Sequence, residues 1–215
     1  MKKYRCILFD LDGTLTYSHR GIFACFRYAL EKMGRELPSD EELRPCVGPS
    51  LMYSFQNFFK MTEAEATEAT RLYRERYTVL GWQENEGIEG ATELLFALKE
   101  AGYALALSTS KPKRYADRIV AKFGFDKYLT EVVGPDADDR LSTKAEVIEE
   151  TVRLLGASKA ECLMVGDTKF DVEGAAVAGV DCAAVTFGYG SEEELTACAP
   201  TYLVRSFAQL KELLA

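Results

Sequence analysis

Two carboxylates two residues apart, Asp10 and Asp12, stand at the end of an apolar run, Cys6-Ile7-Leu8-Phe9, and Gly13 follows at once. Like charges that close raise each other's pKa unless a cation sits between them, so the pair asks for a metal ion. An all-oxygen donor set suits Mg²⁺. The glycine permits a sharp turn after the second acid. Taken alone, Asp-x-Asp-Gly reads equally well as an acidic turn at the end of a strand. Three further stretches, however, put polar side chains directly after short apolar runs. Ser108-Thr109-Ser110-Lys111 follows Ala104–Leu107, Gly166-Asp167-Thr168 with Asp171 follows Cys162–Val165, and Thr186-Phe187-Gly188 follows Cys182–Val185. Lys144 comes after an acidic segment, Gly134 to Asp139.

This set of side chains fits phosphoryl transfer. Asp10 has the chemistry to attack phosphorus and form an aspartyl phosphate. Asp12 can protonate the leaving oxygen and later deprotonate a water. Asp10, Asp12 and Asp167 are the candidate ligands of Mg²⁺, which would offset the repulsion between a carboxylate and a phosphate. Thr109 and Lys144 join Asp10 and Asp12 as candidate catalytic residues. Gly13, Thr109, Ser110 and Lys144 are the candidate contacts to phosphoryl oxygens, with Ser108 an alternative to Thr109 as the hydroxyl. Asp171 stands behind them, able to orient Lys144 or a metal-bound water. Each piece also has an ordinary reading. Gly166-Asp167 is a plausible strand-to-helix turn, Thr109 and Ser110 are plausible helix caps, and most lysines are surface residues. The weight lies in their joint occurrence after successive apolar runs.

Those runs must be strands whose carboxyl ends share an edge. After the first of them, Ile22, Phe23, Phe26, Leu30 and Met33 repeat at helical spacing. Ser39-x-x-Glu42 and Thr62-x-x-Glu65 have the form of capping boxes. Leu51, Phe55, Phe58 and Phe59 make one helical face, and Ala66, Ala69, Tyr73, Tyr77 and Leu80 another. No strand is evident from 16 to 82. Gly81 to Gly90 reads as a linker. Beyond it, strands alternate with helices: a helix from Ala91 stopped at Gly102, a strand at 104–108, a helix at 113–123, a short strand at 129–133, a helix at 143–155, strands at 162–165 and 182–186 about a helix at 170–178, an edge strand at 202–204 and a last helix opened by Ser206. That alternation implies a Rossmann-like α/β fold, a parallel sheet with helices on both faces. The expected domains are a core of residues 1–15 and 83–215 and a helical cap of residues 16–82 inserted between them. Ligands of such sheets bind at the strands' carboxyl ends, where the polar residues fall.

Bulk properties narrow the classes. The chain has 215 residues, of which 47% are hydrophobic and 28% charged, an ordinary globular composition. Its net charge of −8 gives no basic face for nucleic acid. Six cysteines without a Cys-x-x-Cys pair, beside one histidine, argue against zinc and for a reducing compartment. No signal peptide or membrane-length apolar run is evident, so a cytoplasmic protein is expected. The lone His19 is expected to be exposed, as are the cations Arg20, Arg44 and Lys60. Oligomeric state has no signature here.

In these motifs the chain resembles the haloacid dehalogenase-like hydrolase superfamily over nearly its whole length. Asp10-Leu11-Asp12-Gly13-Thr14 resembles the first motif, Thr109-Ser110-Lys111-Pro112 the second, Lys144 the lysine of the third and Gly166-Asp167-x-x-x-Asp171 the fourth. A helical insertion after the first motif is similar to the phosphoglycolate phosphatase and phosphomutase branch. Val47 to Leu51 and Phe187 to Ser191 also resemble that branch's phosphatases. The resemblance implies a Mg²⁺-dependent phosphatase acting on a small phosphomonoester: phosphoglycolate, a sugar phosphate or a nucleoside monophosphate. An acid at position 12 points to phosphate chemistry, since the superfamily's dehalogenases lack it. The rivals are a phosphomutase of the β-phosphoglucomutase type and a non-catalytic regulatory or binding module on the same fold.

Overall fold

The computed structural model describes residues 3–135 and 141–215. The acidic segment expected to run from Gly134 to Asp139 therefore lies, from residue 136 on, outside the described residues. The chain divides into two compact units, Met1–Thr16 with Gly87–Ala215, and Tyr17–Glu86.

The chain opens with β1 (Cys6–Phe9), and the connection leaving it carries β2 (Thr16–Tyr17). The helical unit follows with α1 (His19–Lys32), α2 (Asp40–Leu43), α3 (Leu51–Asn57) and α4 (Glu63–Val79), and the returning connection carries β3 (Glu86–Gly87). Then come α5 (Ala91–Glu100), β4 (Ala104–Ser108), α6 (Lys113–Phe123), β5 (Glu131–Val133) and α7 (Lys144–Leu154). The chain finishes with β6 (Cys162–Gly166), α8 (Lys169–Ala178), β7 (Asp181–Val185), α9 (Glu192–Ala197), β8 (Tyr202–Val204) and α10 (Phe207–Leu214).

Among the described residues, six strands form a parallel sheet in the order β5-β4-β1-β6-β7-β8. β1 lies between β4 and β6, with Cys6 in register with both Ala104 and Cys162. That central place explains its uninterrupted apolar run, because a strand covered on both faces has no solvent side. On one face Cys6 and Leu8 pack with Met164, Cys182, Ile148 and Val152 of α7, and Val172 and Ala175 of α8. Ile7 and Phe9 alternate to the other face and are fully buried too. Cys6, Cys162 and Cys182 serve as small hydrophobes with free thiols. The strand order turns outward in both directions from β1, so its carboxyl end, between those of β4 and β6, is the crevice where such sheets bind ligands.

The helical unit is built on aromatic packing. Phe26 of α1 meets Phe55 at 4.9 Å, Tyr73 at 5.1 Å and Phe59 at 5.9 Å between ring centroids. Both expected capping boxes form, Ser39 with Glu42 and Thr62 with Glu65. Arg76 grips Glu84 through two nitrogens at 2.7 and 2.9 Å. Three expectations differ. Phe58 and Leu80 are exposed, because α3 and α4 end before them and their helical faces are not continued. His19 is half-buried, its ring edge-on to Tyr17 at 6.2 Å and to Phe23 at 5.7 Å. The stretch from Thr16 holds a two-residue strand, β2, paired with β3 in the segment read as a linker; two residues are too few to show alternation. Arg20, Arg44 and Lys60 are exposed as expected, with Arg20 Nη1 2.6 Å from Glu86. Among the described residues no helix is long and apolar enough to cross a membrane.

At the amino end of the sheet, Lys3 Nζ lies 2.8 Å from Asp181 Oδ2 and the Tyr4 hydroxyl donates to the same oxygen at 2.6 Å. Lys3 first, then Tyr4, holds the Asp181 carboxyl below its usual range. A depressed folded-state pKa contributes stability above the unfolded value of about 3.9, and that stability is lost as pH falls through the folded value. Asp181→Asn is therefore expected to lower Tm at neutral pH and to lower it less and less below about pH 4. Melting curves of both chains across that range check it; a pH-independent difference would mean that shape rather than charge is responsible.

Candidate active site

Asp10 and Asp12 leave the carboxyl end of β1 in different company. Asp10 Oδ1 receives the ammonium of Lys144, the first residue of α7, at 2.7 Å. The same ammonium lies 2.6 Å from Asp171 Oδ1 on α8. Lys144 is only 8% exposed, so it is not the surface lysine of the ordinary reading. Asp12 Oδ2 instead lies 2.6 Å from Nζ of Lys111, while its Oδ1 is buried without a hydrogen-bond partner among the described residues.

Asp167, at the end of β6, is fully buried. The Thr14 hydroxyl donates to its Oδ1 at 3.0 Å and the Tyr189 N–H to its Oδ2 at 2.8 Å. Asp171 closes the arrangement from behind, since its Oδ2 accepts the Thr168 N–H at 3.0 Å and hydroxyl at 2.8 Å, capping α8. Backbone shape makes the room. Gly13 has φ +88°, and a Cβ there would stand 2.1 Å from Asp167 Oδ2; a Cβ at Gly188 would stand 2.3 Å from the same atom.

Asp10, Asp167 and Asp171 each bring one carboxylate oxygen within 4.8 Å of the others. Asp12 was expected in that set, and its carboxylate is drawn to Lys111 instead; Asp171 takes its place in the cluster. Among the described residues, four buried carboxylates meet two buried lysines, which leaves two negative charges uncompensated within that set when all are ionised. The strain appears in the acidities. Burial pushes the Asp10 carboxyl up to about 6, with Lys144 pulling down and Asp171 and Asp12 pushing up. Burial, then Asp171 and Asp10, raises Asp167 well above the usual range, against the Tyr189 and Thr14 hydrogen bonds. For Lys144, burial disfavours the charge, but Asp10 and Asp171 outweigh it and its pKa rises.

Thr109 follows β4, and its Oγ1 accepts the Lys111 N–H at 3.2 Å. The Ser108 hydroxyl lies 3.2 Å from Thr151 Oγ1, in the packing of β4 against α7. Ser110 is half-buried beside Thr109. The structure thus brings Asp10, Asp167 and Asp171 into mutual reach, sets Lys144 on Asp10 and Asp171, and joins Asp12 to the Thr109 loop through Lys111. Sequence reasoning gave no role to Lys111, Thr14, or the Gly188-Tyr189 backbone. Lys111 carried a signal, being the one cation in the polar stretch directly after β4. The approach of Gly188 to Asp167 joins residues 21 positions apart, and nothing local marks it.

The family model for haloacid dehalogenase-like hydrolases matches residues 7–185, the span that holds every one of these acids and lysines. The chain belongs to that family. A 5'-nucleotidase of Pseudomonas aeruginosa is 39% identical over 212 residues, which cover 99% of this chain and 96% of that protein. Pyrophosphatase PpaX of Halalkalibacterium halodurans is 30% identical, across 96% of this chain and 95% of its own. A crystal structure described as a predicted phosphatase from Clostridium acetobutylicum superposes with a TM-score of 0.94 at 36% identity, covering 98% of each chain. The expected α/β fold and phosphatase-like hydrolase class hold for this member of the family. The two relatives bear different names, so likeness leaves the substrate open.

Proposed function

We propose that this haloacid dehalogenase-like hydrolase cleaves a small phosphomonoester through an aspartyl phosphate on Asp10, with Mg²⁺ as cofactor. The observation that carries the reading is the chemical separation of Asp10 from Asp12. Two carboxylates two residues apart sit in distinct ion pairs, one with Lys144 and one with Lys111. Distinct environments for paired acids are what separate nucleophile from proton carrier.

In the first step a carboxylate oxygen of Asp10 attacks phosphorus. Asp12 gives a proton to the ester oxygen as its bond to phosphorus breaks. In the second step a water attacks the phosphoaspartate and passes its proton to Asp12, and the Asp10–phosphorus bond breaks. Lys144 and the Thr109 hydroxyl hold the phosphoryl oxygens, with Ser110 and the Gly13 turn beside them. Thr109 is favoured over Ser108 because the latter's hydroxyl is engaged with Thr151. Asp171 keeps Lys144 aimed at Asp10.

The uncompensated pair of negative charges and the cluster of Asp10, Asp167 and Asp171 oxygens fit a divalent cation. Asp10 and Asp167 would hold Mg²⁺, with Asp171 adjoining. When bound, the ion neutralises charge between carboxylate and phosphate. The helical unit, inserted in the sequence between β1 and the rest of the sheet, is the part we assign to substrate selection, as a cap.

The test is phosphate release from nucleoside monophosphates, phosphoglycolate, hexose phosphates and an aryl phosphate. The nucleotidase name of one relative puts nucleoside monophosphates first in the panel. Turnover of at least one ester is expected, and none on any member would overturn the reading. Removing divalent ions with a chelator is expected to cost about 10²-fold or more, restored by Mg²⁺. Turnover unchanged by the chelator would remove the metal from the proposal.

A further inference from the structure

Lys111 is the second buried lysine of the site, and nothing so far gives it a task in the reaction. Its placement is not that of a loose surface cation. The Thr109 N–H donates to Val133 O at 3.0 Å, the Lys113 N–H to Pro135 O at 2.9 Å, and the Lys111 N–H to Thr109 Oγ1 at 3.2 Å. β5 closes on this loop because Gly134 lacks a side chain; a Cβ there would stand 2.4 Å from the Lys111 carbonyl oxygen. With its backbone so fixed, Lys111 is 8% exposed and its ammonium meets Asp12 Oδ2 at 2.6 Å. The other oxygen, Asp12 Oδ1, is the buried, unpartnered atom.

We infer that Lys111 is a positioning residue for the proton transfers of Asp12, an inference that rests on the phosphatase reading above. Held at Oδ2, the carboxyl cannot rotate freely, and Oδ1 is the oxygen that exchanges the proton. Oδ1–H protonates the ester oxygen while the phosphorus–ester bond breaks and the Asp10–phosphorus bond forms. Water then returns a proton to Oδ1 as it displaces Asp10. Once the proton has left, the Lys111 ammonium balances the carboxylate charge. Thr109 belongs to the same device, because its Oγ1 anchors the Lys111 backbone.

An aryl phosphate with a good leaving group needs little protonation, whereas an alkyl phosphate needs it fully. Lys111→Met should therefore lower kcat for an alkyl phosphate by roughly 10²-fold, and by about tenfold less for 4-nitrophenyl phosphate, with KM moved less than kcat. Lys111→Arg should recover part of the loss. In an Asp12→Asn background, Lys111→Met should cost nothing further on the alkyl ester. That double variant removes both members of the ion pair and so creates no newly unpaired buried charge, and it serves where the single variant fails to fold, as judged by its melting curve. Equal losses on both esters, a rise in KM alone, or additive losses in the double variant would each overturn the inference while leaving the phosphatase intact. If wild-type chain releases no phosphate from any ester, or Asp10→Asn matches wild type, the underlying reading itself fails.

Discussion

Replacing Asp10 by asparagine is expected to lower phosphate release by roughly 10⁴-fold or more, the scale on which losing a nucleophile acts. The amide fits the space but has no anionic oxygen to offer phosphorus. The same change should make the metal-free chain more stable. Lys144 keeps Asp171 at 2.6 Å, so no buried cation is orphaned, and the excess negative charge of the cluster falls by one. Removing one member of a repelling buried set is worth about 1 kcal/mol here, or ~2–4 °C in Tm for a chain of this size. The rise in Tm that Mg²⁺ gives the wild type should shrink in the variant, because a ligand is gone. Phosphate release and melting curves with and without Mg²⁺ check both halves. Activity within tenfold of wild type would exclude Asp10 as the nucleophile, and a lower metal-free Tm would mean that the cluster is not under charge strain.

The second large effect is expected at a residue with no side chain. Gly13→Ala must place a Cβ 2.1 Å from Asp167 Oδ2 at a backbone φ of +88°. The carboxylate cannot swing aside, since Thr14 and Tyr189 hold both its oxygens and Gly188 presses from beyond. Left-handed strain of ~1–2 kcal/mol and overpacking of ~1–3 kcal/mol together give a loss of about 2–5 kcal/mol. Displacing Asp167 by about 1 Å should cost on the order of 10²-fold in turnover. Gly34→Ala is the control. Its φ is +65° and no atom lies within 4 Å of the added Cβ, so it should pay the backbone strain alone and keep full turnover. Urea unfolding and phosphate release of the two variants decide it. Equal losses in both would mean that Asp167 has more freedom than its hydrogen bonds suggest.

The sheet was legible because buried parallel strands are short apolar runs, and polar residues at their ends stand out. Asp10, Lys144, Asp167 and Asp171 could be named for that reason, and they converge. Asp12 lies at the same site, but its carboxylate pairs with Lys111 rather than joining the cluster of Asp10, Asp167 and Asp171 oxygens. Its partner, Lys111, lies across the sheet edge on the loop after β4, and a pairing between two loops leaves no periodic trace. The glycines around Asp167 were invisible in the same way, because the steric demand they meet is set by another part of the chain. Phe58 and Leu80 mark the opposite failure: helical spacing extended past the residues where α3 and α4 stop.

The central place of β1 also bears on how the molecule comes to be made. Its two neighbours begin at Ala104 and Cys162, so one edge of this apolar strand stays open until synthesis has passed Ala104 and the other until it has passed Cys162. Open apolar edges of that kind invite pairing with other chains. The two acids that close the run place like charges where a neighbouring copy would have to stack, as gatekeepers do beside unavoidable hydrophobic strands. Asp10 and Asp12 would thus protect the nascent chain for as long as they have no lysines to meet, before they have any chemistry to perform.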